Sequence, residues 1–98
     1  MKNVLITGAS SGLGRATARL LARNNYRLVI CGRRQDRIQD LEKELSELTT
    51  IHSLIFDVRD REAVQSAIDS LPAPFRPLDV LVNNAGNAHG LDFIQQVK

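Results

Sequence analysis

Four short apolar runs constrain this chain more than any other feature: Val4-Leu5-Ile6, Leu28-Val29-Ile30, Leu54-Ile55-Phe56 and Val80-Leu81-Val82. Each is continuous rather than alternating, which is how strands covered on both faces read. Between them lie longer segments with helical spacing. Leu13, Ala16, Thr17, Leu20 and Leu21 form one set, Ile38, Leu41, Leu45 and Leu48 a second, and Val64, Ala67, Ile68 and Leu71 a third. Each set predicts an amphipathic helix with one stripe turned to a sheet. The order is therefore β-α-β-α-β-α-β, an α/β class, and right-handed crossovers make it a parallel sheet with helices on both faces. Pro72, Pro74 and Pro77 end the third helix and lead into the fourth strand. Leu91 to Lys98 are expected to start a fourth helix.

The first strand-to-helix turn, Thr7-Gly8-Ala9-Ser10-Ser11-Gly12-Leu13-Gly14, places three glycines where glycine weakens both neighbouring elements. A helix N-terminus presents unpaired N–H groups and a partial positive charge, so it takes phosphate if the backbone can come close. Gly8 frees the turn, Gly12 removes a Cβ from the approach of a pyrophosphate, and Gly14 lets the helix pack tightly on the sheet. Ser10 and Ser11 add hydroxyls and candidate N-caps. The spacing is T-G-x-x-x-G-x-G rather than G-x-G-x-x-G, and the context of strand before and helix after gives it weight. The alternative is a glycine-rich turn without a ligand.

The second strand ends in Cys31-Gly32-Arg33-Arg34, with Arg37 following. Dinucleotide sites commonly place a carboxylate here for the ribose 2′-hydroxyl. Instead, guanidinium groups gather at a helix start, where they oppose the helix dipole. A further phosphoryl group would reverse that cost, since arginine grips phosphate with paired hydrogen bonds. NADP is therefore expected in preference to NAD, the alternative being a solvated basic turn. Thirteen basic against eleven acidic residues is too balanced for a nucleic-acid surface. No apolar run approaches the ~20 residues of a membrane span. One cysteine, Cys31, and no leader pattern suit a reducing, cytoplasmic location.

The glycine turn, Asp57-Val58 and Asn83-Asn84-Ala85-Gly86 stand in an order and spacing that resemble the N-terminal part of the short-chain dehydrogenase/reductase family. The resemblance covers nearly the whole chain and implies a partial Rossmann-type doubly wound sheet, order 3-2-1-4, with three helices and the start of a fourth. It implies that Gly8, Ser10, Ser11, Gly12 and Leu13 line the pyrophosphate and adenosine ribose. Gly32 stands where NAD-preferring members have aspartate, and Arg33, with Arg34 beside it, where NADP-preferring members have arginine. Asp57 is implied as acceptor from the adenine amino group with the Val58 backbone alongside, and Asn83, Ala85 and Gly86 as a boundary on the ribose side. From position alone, Asp57 also fits a turn residue before a helix beginning near Asp60.

The family's chemistry is hydride transfer between the nicotinamide and a carbonyl or alcohol, with a tyrosine hydroxyl and a lysine four residues on. The one tyrosine here is Tyr26, and Ile30 stands four residues later. No general acid is named, therefore, and Tyr26 is expected to pack. His52, His89 and Cys31 have no metal-ligand spacing. The expectation is a cofactor-binding part, residues 1–98, of a longer oxidoreductase that acts on a small-molecule substrate. A stand-alone nucleotide-binding module without turnover is the second reading, and a flavodoxin-like module a remote third. The fourth strand would form an open apolar edge prone to self-association.

Overall fold

A computed structural model of the chain describes residues 1–84. Expectations at Ala85, Gly86 and His89, and for a helix over Leu91 to Lys98, lie outside the described residues. The elements run β1 (Asn3–Thr7), α1 (Gly12–Arg23), β2 (Arg27–Gly32), α2 (Gln35–Leu45), β3 (Ile51–Ile55), α3 (Arg61–Asp69), a single 3-10 turn (Ala73–Phe75) and β4 (Val80–Asn83). All strand pairs are parallel and the order is β3-β2-β1-β4. Register sets Leu5 beside Val29 on one side and Leu81 on the other. The parallel sheet is what the apolar rhythm predicts, and its doubly wound, Rossmann-type order is what the family resemblance implies.

The continuous runs follow from the two covered faces. Val4, Ile6, Leu28 and Ile30 pack against Ala18 and Ala22 of α1 and Ile38, Leu41 and Leu45 of α2. Leu5, Val29 and Cys31 turn the other way, onto Val64 and Ile68 of α3 with Leu71 and Phe75 behind them. Period-two alternation thus disappears, because both sets of side chains are apolar. Cys31 is a fully buried free thiol whose ionisation burial opposes strongly. Tyr26 packs at the margin of the first cluster, and His52 meets the Phe75 ring at 5.4 Å.

Two expectations change. The inward face of α1 is Gly14, Ala18 and Ala22, while Leu13 and Leu20 are 71% and 61% exposed. The cause is Gly14: a Cβ there would stand 2.1 Å from the Gly8 carbonyl oxygen. That approach fixes the helix's rotation, so the residues at i+4 and i+8 face the sheet, Leu13 and Leu20 turn away, and Leu21 stays partly buried against the core. β3 begins at Ile51, three residues before the apolar run Leu54-Ile55-Phe56, and Phe56 lies beyond its end. Its first three residues, Ile51, His52 and Ser53, are only half-buried and form no apolar run, which the pattern misses. In α2, Ile38, Leu41 and Leu45 are buried as expected, and Leu48 lies past the helix end and exposed.

β4 is held to β1 at both ends. The Asn3 backbone N–H donates to Asp79 Oδ2 at 2.8 Å, and Asn3 Nδ2 donates to the Pro77 carbonyl at 3.0 Å. At the opposite end Thr7 Oγ1 lies 3.2 Å from Asn83 Oδ1 and accepts from the Asn84 N–H at 3.2 Å. Among the described residues no helix is long and apolar enough to cross a membrane.

Candidate functional site

The carboxyl ends of the strands meet the helix starts on one side of the sheet, the side where open α/β sheets hold ligands. A cleft of about 500 Å3 opens there. Its wall comes from three successive strand ends: Gly8 and Ser10 after β1, Gly32, Arg33 and Arg34 at β2, and Phe56, Asp57, Val58 and Arg59 after β3. Its volume suits a small molecule or part of a dinucleotide.

The glycine turn is built by its own hydrogen bonds. Gly8 has φ 61°, a conformation that only glycine adopts without strain. The Ala9 N–H donates to the Cys31 carbonyl at 3.0 Å, tying the turn to β2. Ser11 is the N-cap of α1: its Oγ accepts from the Gly14 N–H at 3.1 Å and donates to the Gly8 carbonyl at 2.8 Å. The Ser11 hydroxyl is therefore committed to the turn itself. Ser10, not Ser11, stands in the cleft wall.

The two glycines inside the helix start differ in kind. Gly14 is required by packing, against the Gly8–Ala9 backbone rather than against the sheet. At Gly12, by contrast, an added Cβ would meet nothing within 4 Å. Among the described residues nothing in the packing asks for glycine there, and the space before the helix start is open. Leu13, expected beside the pyrophosphate, is likewise turned outward.

Charge in the cleft is mostly positive. Arg33, Arg34 and Arg59 line it with one carboxylate, Asp57. Arg33 is 68% exposed, at the end of β2, with its Nη1 3.8 Å from Asp57 Oδ2. Arg34 occupies the N-cap position of α2 without a side-chain capping bond. Gly32 faces the Ile38 side chain, and a Cβ would lie 2.9 Å from its tip, so a larger residue would displace Ile38. Arg59 holds Asp57: its backbone N–H and Nε reach Oδ1 at 2.9 and 3.1 Å, and Nη2 reaches Oδ2 at 2.8 Å. These bonds, aided by the nearby Arg33 charge, lower the Asp57 carboxyl to about 2. Asp60, after this turn, caps α3 by accepting from the Ala63 N–H at 3.1 Å.

These features fit a nucleotide: an open helix start at the glycine turn, and an excess of guanidinium groups within the same cleft. The family model for short chain dehydrogenase matches residues 2–97. The chain belongs to the short-chain dehydrogenase/reductase family. It is similar to sulfoacetaldehyde reductase 2 of Chromohalobacter salexigens, with 53% identity over 85 residues, covering 87% of this chain and 34% of that protein. It is 46% identical over 89 residues to the NADP-dependent 3-hydroxy acid dehydrogenase YdfG of Salmonella typhi, covering 91% of this chain and 35% of that one. Among solved structures, the closed form of serine dehydrogenase complexed with NADP+ matches with a TM-score of 0.70 and 38% identity, over 80% of this chain and 31% of that chain. The chain thus spans about a third of the length of these short-chain dehydrogenases.

Of the residues the sequence nominates, Gly8, Ser10, Arg33, Arg34, Asp57 and Val58 share the cleft wall. Ser11, Gly12, Leu13 and Gly14 continue the turn into α1, and Asn83 stands at the end of β4 beside Thr7. Two residues carry too faint a signal for sequence reasoning to find. Thr7 is fully buried and joins the ends of β1 and β4, signalled only by a polar residue closing an apolar strand. Arg59 is signalled only by its place two residues after an aspartate, where an Asx turn puts it.

Proposed function

We propose that this chain binds NADP(H) and forms the cofactor-holding part of an oxidoreductase acting on a carbonyl or alcohol. The observation that carries this is the pairing, in one cleft, of a glycine turn at a helix start with arginines at the end of β2 where no carboxylate stands. In this reading the turn of Gly8, Ser10, Gly12 and Leu13 receives the pyrophosphate, with Ser11 and Gly14 keeping its shape. Arg33 and Arg34 receive the 2′-phosphate. Asp57 and the Val58 backbone meet the adenine, and Asn83, Ala85 and Gly86 bound the ribose side. The bound cofactor supplies the hydride. These residues hold it and orient it, and none is assigned as the general acid.

NADP is preferred to NAD on local electrostatics. A dianionic group gains from two nearby guanidinium groups, whereas a bare ribose hydroxyl leaves them unmatched. The single buried thiol is in keeping with a cytoplasmic setting.

Titration of the chain with NADPH and NADH, followed by nicotinamide fluorescence, tests the cofactor reading. Arg33→Asp is expected to weaken NADPH binding by about 1.5–3 kcal/mol, the worth of a hydrogen bond to a charged group, and to narrow the preference over NADH. Equal NADPH affinity in the folded wild type and variant rejects the assignment.

A further inference from the structure

Arg59 stands in the cleft wall beside Asp57 and close to Arg33. Its guanidinium takes both oxygens of the carboxylate, and its own backbone N–H donates to Oδ1 as well. The pair is therefore anchored by a two-residue turn and not by the reach of a long side chain alone. Arg33 approaches the same carboxylate from β2. At 3.8 Å its Nη1 lies within ion-pair reach of Oδ2 but beyond hydrogen-bond length.

Two guanidinium groups around one carboxylate leave a net positive charge on the side of the cleft where Arg33 stands. Without Arg59, Arg33 and Asp57 would form a closed one-to-one pair. The arginine fork matches a carboxylate in two-point geometry, and a small rotation of an exposed side chain closes the gap. An Arg33 engaged in that way, beside an uncancelled negative charge, receives a phosphoryl dianion poorly.

The geometry points to Arg59 as a positioning residue that sets cofactor preference: by holding Asp57 it leaves the Arg33 guanidinium available to a 2′-phosphoryl group and cancels the carboxylate charge that would repel it. The inference rests on the NADP-binding reading of the cleft. It differs from a simple orienting role. If Arg59 only aimed Asp57 at an adenine, its loss would weaken NADP and NAD alike, since both carry that base.

The experiment compares wild type, Arg59→Gln and Arg59→Lys, titrated with NADPH and with NADH at one salt concentration. Arg59 is 70% exposed, so neither substitution disturbs the core, and circular dichroism checks the fold. The expected result for Arg59→Gln is a loss of about tenfold in the NADPH-to-NADH affinity ratio, carried by NADPH, with NADH changed by less than about twofold. Arg59→Lys keeps the charge and should retain most of the ratio. The inference is overturned if Arg59→Gln leaves the ratio unchanged or weakens both cofactors equally, or if the lysine variant loses as much as the glutamine one. A folded wild type that binds neither cofactor overturns the cofactor reading together with this inference. A wild type that prefers NADPH upholds the cofactor reading, and the variants then decide the role of Arg59 separately.

Discussion

Gly12 and Gly14 are two residues apart and answer to different masters, one to empty space and one to backbone. Replacing Gly14 by alanine forces a Cβ into the Gly8 carbonyl, where neither side can yield without moving the turn. The cost expected is at least the ~1–3 kcal/mol of an overpacked site, read as a lowered denaturant midpoint. Gly12→Ala meets open space, and alanine is the better helix former, so stability should hold or rise slightly. Nucleotide affinity should nonetheless fall, because the new methyl occupies the approach to the helix start. A Gly12→Ala variant that binds as tightly as wild type would remove the glycine turn from the site. Asp57 offers a second residue-scale check. Its carboxyl titrates at about 2, held down first by the Arg59 side chain and then by the Arg59 backbone N–H. Because the native value lies below that of the unfolded chain, the pair contributes stability above the ordinary carboxylate range and loses it as pH falls from about 4 toward 2. Carbon-detected NMR titration should find that low midpoint, and Arg59→Gln should move it upward.

At the scale of elements, α1 carries the sharpest departure from pattern. Its leucines look like a core stripe, yet the buried residues are Gly14, Ala18 and Ala22, Leu13 and Leu20 are exposed, and Leu21 is only partly buried against the core. Substituting Leu20 by serine should therefore change stability by no more than ~0.5 kcal/mol, as at ordinary surface positions. Ala18→Leu, which adds apolar bulk to a fully buried seam, should destabilise by ~1–3 kcal/mol. Thermal melts of the two variants decide it, and the reverse ranking would mean the helix is rotated. The contrast explains what is legible in the sequence. The strands can be read because Leu5 and Val29 face one layer while Ile6 and Ile30 face the other, leaving unbroken apolar runs. The face of α1 cannot, since small residues carry little hydrophobic signal and its rotation is fixed by a carbonyl contact that no periodicity encodes. Likewise Arg33 and Asp57 can be placed from motif and position, whereas the grip of Arg59 on Asp57 depends on a turn conformation absent from the letters. The start of β3 escapes the apolar pattern because Ile51, His52 and Ser53 are only half-buried.

For the molecule as a whole, the described sheet ends at β4, which pairs with β1 alone among the described residues. Val80 is exposed, and Leu81 and Val82 are only partly covered. A parallel sheet with an apolar margin of this kind pairs readily with another strand. For the 98-residue chain by itself we propose self-association through β4, with apparent mass rising with concentration in analytical ultracentrifugation. Val80→Lys, at the exposed residue of the strand, should shift that equilibrium toward monomer. A monomer at every concentration would set the idea aside.

Cys31, by contrast with that margin, is sealed in β2, one of the two inner strands of the described sheet, with its proton held fast. An alkylating reagent meets a thiol only where solvent does and reacts with its ionised form. While β2 stays in place, the one sulfhydryl of the chain is hidden from such reagents. It becomes a witness to the sheet coming apart, so that the pace of its labelling keeps time with opening of the molecule's interior.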